Sequence, residues 1–197
     1  MIAYLLASLP TPRRDAPPDV SPEEFLERCR GFVDEDRQHD LAWVLGVRAP
    51  AQGPRDEGAA TADATVAGEP YAARDATARA WANLAELVDE AVIRARAGRA
   101  KRDPAPDLRQ PVGFRVDASE AVAEAFAAPD PAARERALDD LRWRLADELT
   151  AAEPDGFGAL LARAVQLRLA ARRATFDRDS GRTALEAVLR EIEEDHG

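Results

Sequence analysis

Alanine fills 43 of the 197 positions, set among larger apolar residues that recur at helical rather than alternating spacing. Alanine is the best helix former and buries little area, so such a chain makes helices that pack closely over small side chains. Sheets draw on valine, isoleucine, threonine and aromatics, and aromatics are 6% of this chain. The length suits one globular domain or two small lobes. By area scaling it buries roughly two thirds of the surface its unfolded chain exposes, enough to need neither metal nor disulfide. The expectation is an all-α protein, a bundle of six to eight helices.

Local signals set the order of those helices. Pro10, Pro12, Pro17 and Pro18 enforce an extended connection, after which Ser21-Pro22-Glu23-Glu24 supplies an N-cap, a first-turn proline and a capping-box glutamate. Phe25, Cys29 and Phe32 share one face of the helix that follows, which makes Cys29 a small buried hydrophobe. A second helix is predicted from near Asp34 to Leu45, with Gly46 ending it. Residues 48–69 hold glycine, proline, threonine and alanine with hardly a large apolar side chain, and read as a mobile linker or loop. The chain thus divides into an N-terminal helical hairpin over 1–47, the linker over 48–69 and a main helical domain over 70–197.

In the main domain a long helix is predicted to about Ala97, on the stripe Trp81, Leu84, Val88, Ala91 and Ala95, with Gly98 placed to end it. A short helix follows from about Ser119 to Ala127. Asp130-Pro131 caps the next, in which Leu138, Leu141, Leu145 and Leu149 form an apolar line, and Pro154 bars its continuation. The helix from about Gly156 to Ala174 has the widest apolar face and is expected to be the most buried. A last helix after Gly181 carries Leu185, Val188, Leu189 and Ile192.

Charge and chemistry narrow the function. The net charge of −10 is spread along the chain, so no basic face tracks a phosphate backbone and no nucleic-acid partner is expected. The apolar run Ile2–Leu9 is too short to span a bilayer and lacks the basic flank of a signal peptide, so direct membrane insertion is not expected. The single cysteine fits a reducing cytoplasm. Phe176–Thr183, FDRDSGRT, tempts two readings that fail on their mechanics. A calcium loop starting at Asp177 would have Arg182 where the turn glycine belongs and Val188 where the bidentate glutamate must be, and a phosphatase aspartate needs a buried strand before it. The segment reads instead as an acidic turn capping the last helix. Asp34, Glu35, Asp36, His39 and Asp40 are the densest group of oxygen and nitrogen ligands. With no matching group but His196 near the end of the sequence, they read as a solvated acidic helix start. No phosphate loop, nucleophile elbow or HExxH occurs, and two histidines with one cysteine favour a non-enzymatic chain without cofactor or metal.

Trp143 lies well off the leucine line, among Arg136, Asp139 and Asp147. A large aromatic on a charged flank is either a second buried face or a contact for a partner, and these four residues are the candidate partner interface.

Four stretches, in order, resemble a bacterial family of unknown function encoded alongside V-type ATPase components. That family is itself similar to a shortened form of the C-type rotor component, known as the d-type in eukaryotes. The stretches are Tyr4–Cys29, YLLASLPTPRRDAPPDVSPEEFLERC; Trp81–Asp103, WANLAELVDEAVIRARAGRAKRD; Asp130–Trp143, DPAARERALDDLRW; and Phe157–Ile192. Asp89 and Glu90 depart from the Arg-Asn pair commoner in that family. The resemblance implies a socket-like helical protein without an active site, which seats the central stalk of a V/A-type rotary ATPase on its proteolipid rotor ring. Its partners would be the central-stalk proteins and the ring, on the cytoplasmic face of the membrane and held there through other members of the complex. The full C-type component is longer, so part of the socket would be missing. Two other readings stand beside it: a non-rotating accessory or assembly protein of the same complex, and a small carboxylate-dependent hydrolase.

Overall fold

The computed structural model describes residues 1–47, 72–105, 108 and 111–175. Seven helices form among them: α1 (Ile2–Ser8), α2 (Pro22–Cys29), α3 (Glu35–Leu45), α4 (Ala76–Ala100), α5 (Val116–Ala127), α6 (Pro131–Ala152) and α7 (Phe157–Thr175). Helix accounts for 71% of the structure and no sheet is present among the described residues, so the protein is all-α. No helix among them is long and apolar enough to cross a membrane. The linker over 48–69, the FDRDSGRT turn and the helix after Gly181 lie outside the described residues.

Helix starts follow the capping signals. The Ser21 hydroxyl accepts from the Glu24 N–H, Asp34 from Arg37, and Asp130 from Ala133, so each side chain satisfies a donor that the first turn leaves open. Gly46 ends α3 in the left-handed region at φ 70°, where a side chain would be strained. Gly98 does not end α4. The helix runs through it to Ala100 and closes at Lys101, itself left-handed at φ 52°, where the Arg102 N–H reaches back to the Ala97 carbonyl at 3.0 Å. That closing bond sets the end, while Gly98 faces open space and is tolerated at about 1 kcal/mol relative to alanine. α5 begins at Val116, three residues before the sequence signal, just after Arg115, whose side chain ties to Asp117 and Glu148.

α7 is the central post, packing against α1, α2, α3, α4 and α6, and its contact with α6 is the most extensive among the described helices. Leu160, Leu161, Ala162, Ala164 and Leu167 are fully buried along it. Gly158 is required at its start: a Cβ there would lie 2.8 Å from the Leu149 carbonyl of α6, too close to be accommodated. The α6 leucine line turns inward as its spacing predicts, and α4 contributes Ala78, Trp81, Val88 and Val92. Leu5, Phe25, Cys29, Leu41 and Val44 from residues 1–47 share one core with these side chains. Cys29 is wholly buried, and desolvation pushes its thiol up to about 12, so it is inert as a nucleophile.

Candidate functional site

One group of charged side chains on α6 and α7 is spent on the scaffold. Arg163 donates to the Leu6 and Leu9 carbonyls at 2.5 and 3.0 Å, and Arg168 donates to the Val44 carbonyl at 3.0 Å. Both guanidiniums thus sit on the C-terminal carbonyls of α1 and α3, where the orphan acceptors and the helix dipole favour a cation. Burial pushes the Arg163 pKa below its ordinary value, yet it remains charged.

Asp139 belongs to the same group. It is buried, with Arg172 at 3.3 Å, Arg173 at 3.5 Å and Arg142 at 3.8 Å. Each of those arginines holds a further carboxylate: Glu135 for Arg172, Asp140 for Arg173 and Asp89 for Arg142. Burial pushes the Asp139 carboxyl up, against the pull of Arg172, Arg142 and Arg173. The two acids that depart from the family pattern are both paired, Asp89 with Arg142 and Glu90 with Arg94.

An open cleft of about 550 Å3 lies between α1, the Thr11–Pro12 segment, α6 and α7, and Arg163 also reaches its wall. Trp143 and Asp147 form its α6 wall and Gln166 and Arg163 its α7 wall. Trp143 is 6% exposed, and the Arg14 guanidinium lies over its ring, 5.5 Å from the centroid. Arg14 also stands 3.6 Å from Asp147, whose other oxygen accepts from the Gln166 amide at 2.7 Å. The four candidate interface residues are therefore not on one surface. Trp143 and Asp147 meet at the cleft, Asp139 is buried in the α6–α7 seam, and Arg136 is exposed beside that seam, its backbone carbonyl accepting from Arg173. Arg14, Arg163 and Gln166 are missed by sequence reasoning, because each comes from an element distant in the chain and no local pattern joins them.

The acidic start of α3 is not uniformly solvated. Asp40 is fully buried and accepts from the Arg74 and Asp75 N–H groups at 3.1 and 2.8 Å, holding the chain entering α4. Asp75 then caps α4 through the Thr77 N–H at 2.7 Å and pairs with Arg37 at 3.0 Å, while Asp36 pairs with Arg74. Burial alone would raise the Asp75 pKa, but the Thr77 N–H and Arg37 outweigh it and hold the carboxyl below its ordinary value. Among the described residues no three His, Cys, Asp or Glu side chains converge on a metal site.

One apolar feature faces outward. Val112 and Phe114 are 82% and 74% exposed beside exposed Val116. The run is pinned by the Asn83 amide, which donates to the Val112 carbonyl and accepts its N–H, at 2.9 and 2.8 Å.

No family model matches the chain, and no curated protein or solved structure is significantly similar to it.

Proposed function

We propose that this protein is a non-catalytic, C-type component of a V/A-type rotary ATPase, coupling the central stalk to the membrane rotor ring from the cytoplasmic face. The observation that carries the reading is where the four family-like stretches fall. Tyr4–Cys29 supplies most of α1 and all of α2, Trp81–Asp103 most of α4, Asp130–Trp143 the first half of α6, and Phe157 onward α7. They supply much of the core, which α3 and α5 complete from outside the four stretches, so the resemblance includes core-forming helices. An all-α scaffold also suits the work: torque passes through a body that must not deform, and helices braced end to side by half-buried arginines resist shear.

The test is recovery of the tagged chain from membranes of its own cell, with the copy number read by quantitative mass spectrometry. A rotor part is recovered with the stalk proteins and the ring near one copy per assembled complex. Recovery with unassembled components alone, or at no fixed ratio, overturns the rotor assignment in favour of an assembly factor. The acidic surface is expected to bind the intact ring more strongly than protein-free anionic vesicles, which repel it; equal binding contradicts attachment through other members of the complex.

A further inference from the structure

We propose that the run Val112–Val116 is a docking surface for a basic partner polypeptide that brings an apolar side chain with it. The inference does not depend on the rotary ATPase reading. Val112, Phe114 and Val116 are 82%, 74% and 57% exposed. Single apolar residues on a surface are ordinary, but a run of them rimmed by charge marks a surface that a partner covers. The backbone that carries them is held on both sides. The Asn83 amide on α4 grips the Val112 backbone at 2.9 and 2.8 Å, and Arg115 ties to Asp117 at the head of α5 and to Glu148 near the end of α6. Gly113, at φ 91°, turns the chain between these two holds in a conformation that would strain a side chain. Clamped in this way, the apolar side chains stay turned to solvent, and a partner meets a surface that needs little further ordering.

Charge selects the occupant. Arg115, the base inside the run, is already matched by two carboxylates, Asp117 and Glu148. Glu86 stands one turn from Asn83 on α4, and Glu120 and Glu124 are exposed along α5 beyond Val116; none of the three has an ion pair among the described residues. Two bases lie nearby. Arg144 is exposed one turn before Glu148, and Arg79, one turn before Asn83, folds back onto the Ala73 and Arg74 carbonyls. Asp107 and Arg109 cancel in the stretch before the run, so acids remain in excess around it. A second copy of the chain would set these acids against their own kind, and an anionic lipid surface would be repelled by them. A polypeptide with lysine or arginine beside an apolar anchor gains from both the charge and the patch.

The experiment uses the full-length protein and a short, fluorescently labelled helical peptide with leucine on one face and lysine on the other, beside versions in which glutamate or glutamine replaces lysine. Binding is read by anisotropy, and the contact is located by backbone amide shifts in the nitrogen-15-labelled protein. The lysine peptide is expected to bind saturably and to shift the Val112, Gly113 and Phe114 amides, with the glutamine version weaker and the glutamate version weakest. Phe114→Ser should lower its affinity about tenfold or more, as for an interface anchor. Glu120→Gln should lower it a few-fold, and so should Asn83→Ala, which frees the backbone while leaving every apolar side chain of the run in place. Tyr4→Ser, which removes an aromatic 73% exposed at α1, should change nothing. Equal affinity in wild type and Phe114→Ser, or equal losses in Phe114→Ser and Tyr4→Ser, overturns the proposal as non-specific attraction of a cationic peptide. Self-association in sedimentation, or binding to vesicles of mixed phosphatidylserine and phosphatidylcholine, that Phe114→Ser abolishes would overturn it in favour of a second copy or a lipid surface. Denaturation of each variant shows whether it is folded; if Phe114→Ser is not, Val112→Ser replaces it with the same expectation.

Discussion

Asp40 and Asp139 are both aspartates buried in the middle of helices, and the contacts that the structure shows for them differ in kind. Asp40, on α3, meets backbone: the N–H groups of Arg74 and Asp75 across the α3–α4 junction. Asp139, on α6, meets side chains: Arg142, Arg172 and Arg173, each with another acid to hold. A backbone donor cannot turn to a substitute, whereas an arginine in a network can. The same carboxylate is therefore a specific clamp at one junction and an exchangeable member of a seam at the other.

The sharpest way to break this contrast is to make both aspartates asparagine. Asp40→Asn replaces a charged two-point acceptor by an amide that accepts at one atom and turns a donor toward the other N–H. The expected loss is about 3 kcal/mol, from one unsatisfied buried donor and one weakened bond. Urea denaturation measures it, with the m-value unchanged. Arg163→Met comes next. It keeps the buried stem but strips the cap from the Leu6 and Leu9 carbonyls, for an expected loss of about 2 kcal/mol. Asp139→Asn should cost least, about 1 kcal/mol, since all three arginines keep a carboxylate and the desolvation of a buried charge is relieved. A loss above that of Asp40→Asn would show that the seam is not redundant.

The contrast also predicts opposite pH dependence. Asp75, which works beside Asp40, has a lowered native pKa. Its stabilisation is present above the ordinary carboxylate value of about 3.9 and is lost as pH falls through the lowered one. Asp139 has a raised native pKa, so its contribution is largest below the ordinary value and is lost as pH rises through the raised one. On acidification from neutral pH, the stability of wild type relative to Asp75→Asn should shrink below about pH 4, while that relative to Asp139→Asn should grow. Parallel curves for the two variants would contradict both assignments.

Much of the fold is written in local signals. Ser21, Asp34, Gly46 and Asp130 mark helix ends that depend on two or three neighbouring residues, and the α6 leucines mark a face by spacing alone. What lies between distant segments is not written locally. Asp40 looks like any other acid of a solvated first turn, because its donors are backbone groups 34 and 35 residues away that leave no trace in residue type. Arg163 and Arg168 look like a solvent face of α7, and they are half-buried because two other helices end against them. Trp143 admits two readings in the sequence, and its angular position off the leucine line does not reveal that α1 and Arg14 close over that side. Gly98 shows the converse, a strong local stop signal overridden by better closure three residues later.

Amide hydrogen exchange tests the central contrast most directly, because it reads the Arg74 and Asp75 N–H groups themselves. In wild type and in Asp139→Asn these two amides should exchange slowly and alike. In Asp40→Asn at least one should accelerate about tenfold or more beyond any acceleration of the α7 core amides, as the entry to α4 opens locally. Equal acceleration of the Arg74, Asp75 and α7 amides in Asp40→Asn would mean global destabilisation in place of a local clamp. Loss of protection at Arg74 and Asp75 in Asp139→Asn would mean that the two junctions are one network, and either result would contradict the account.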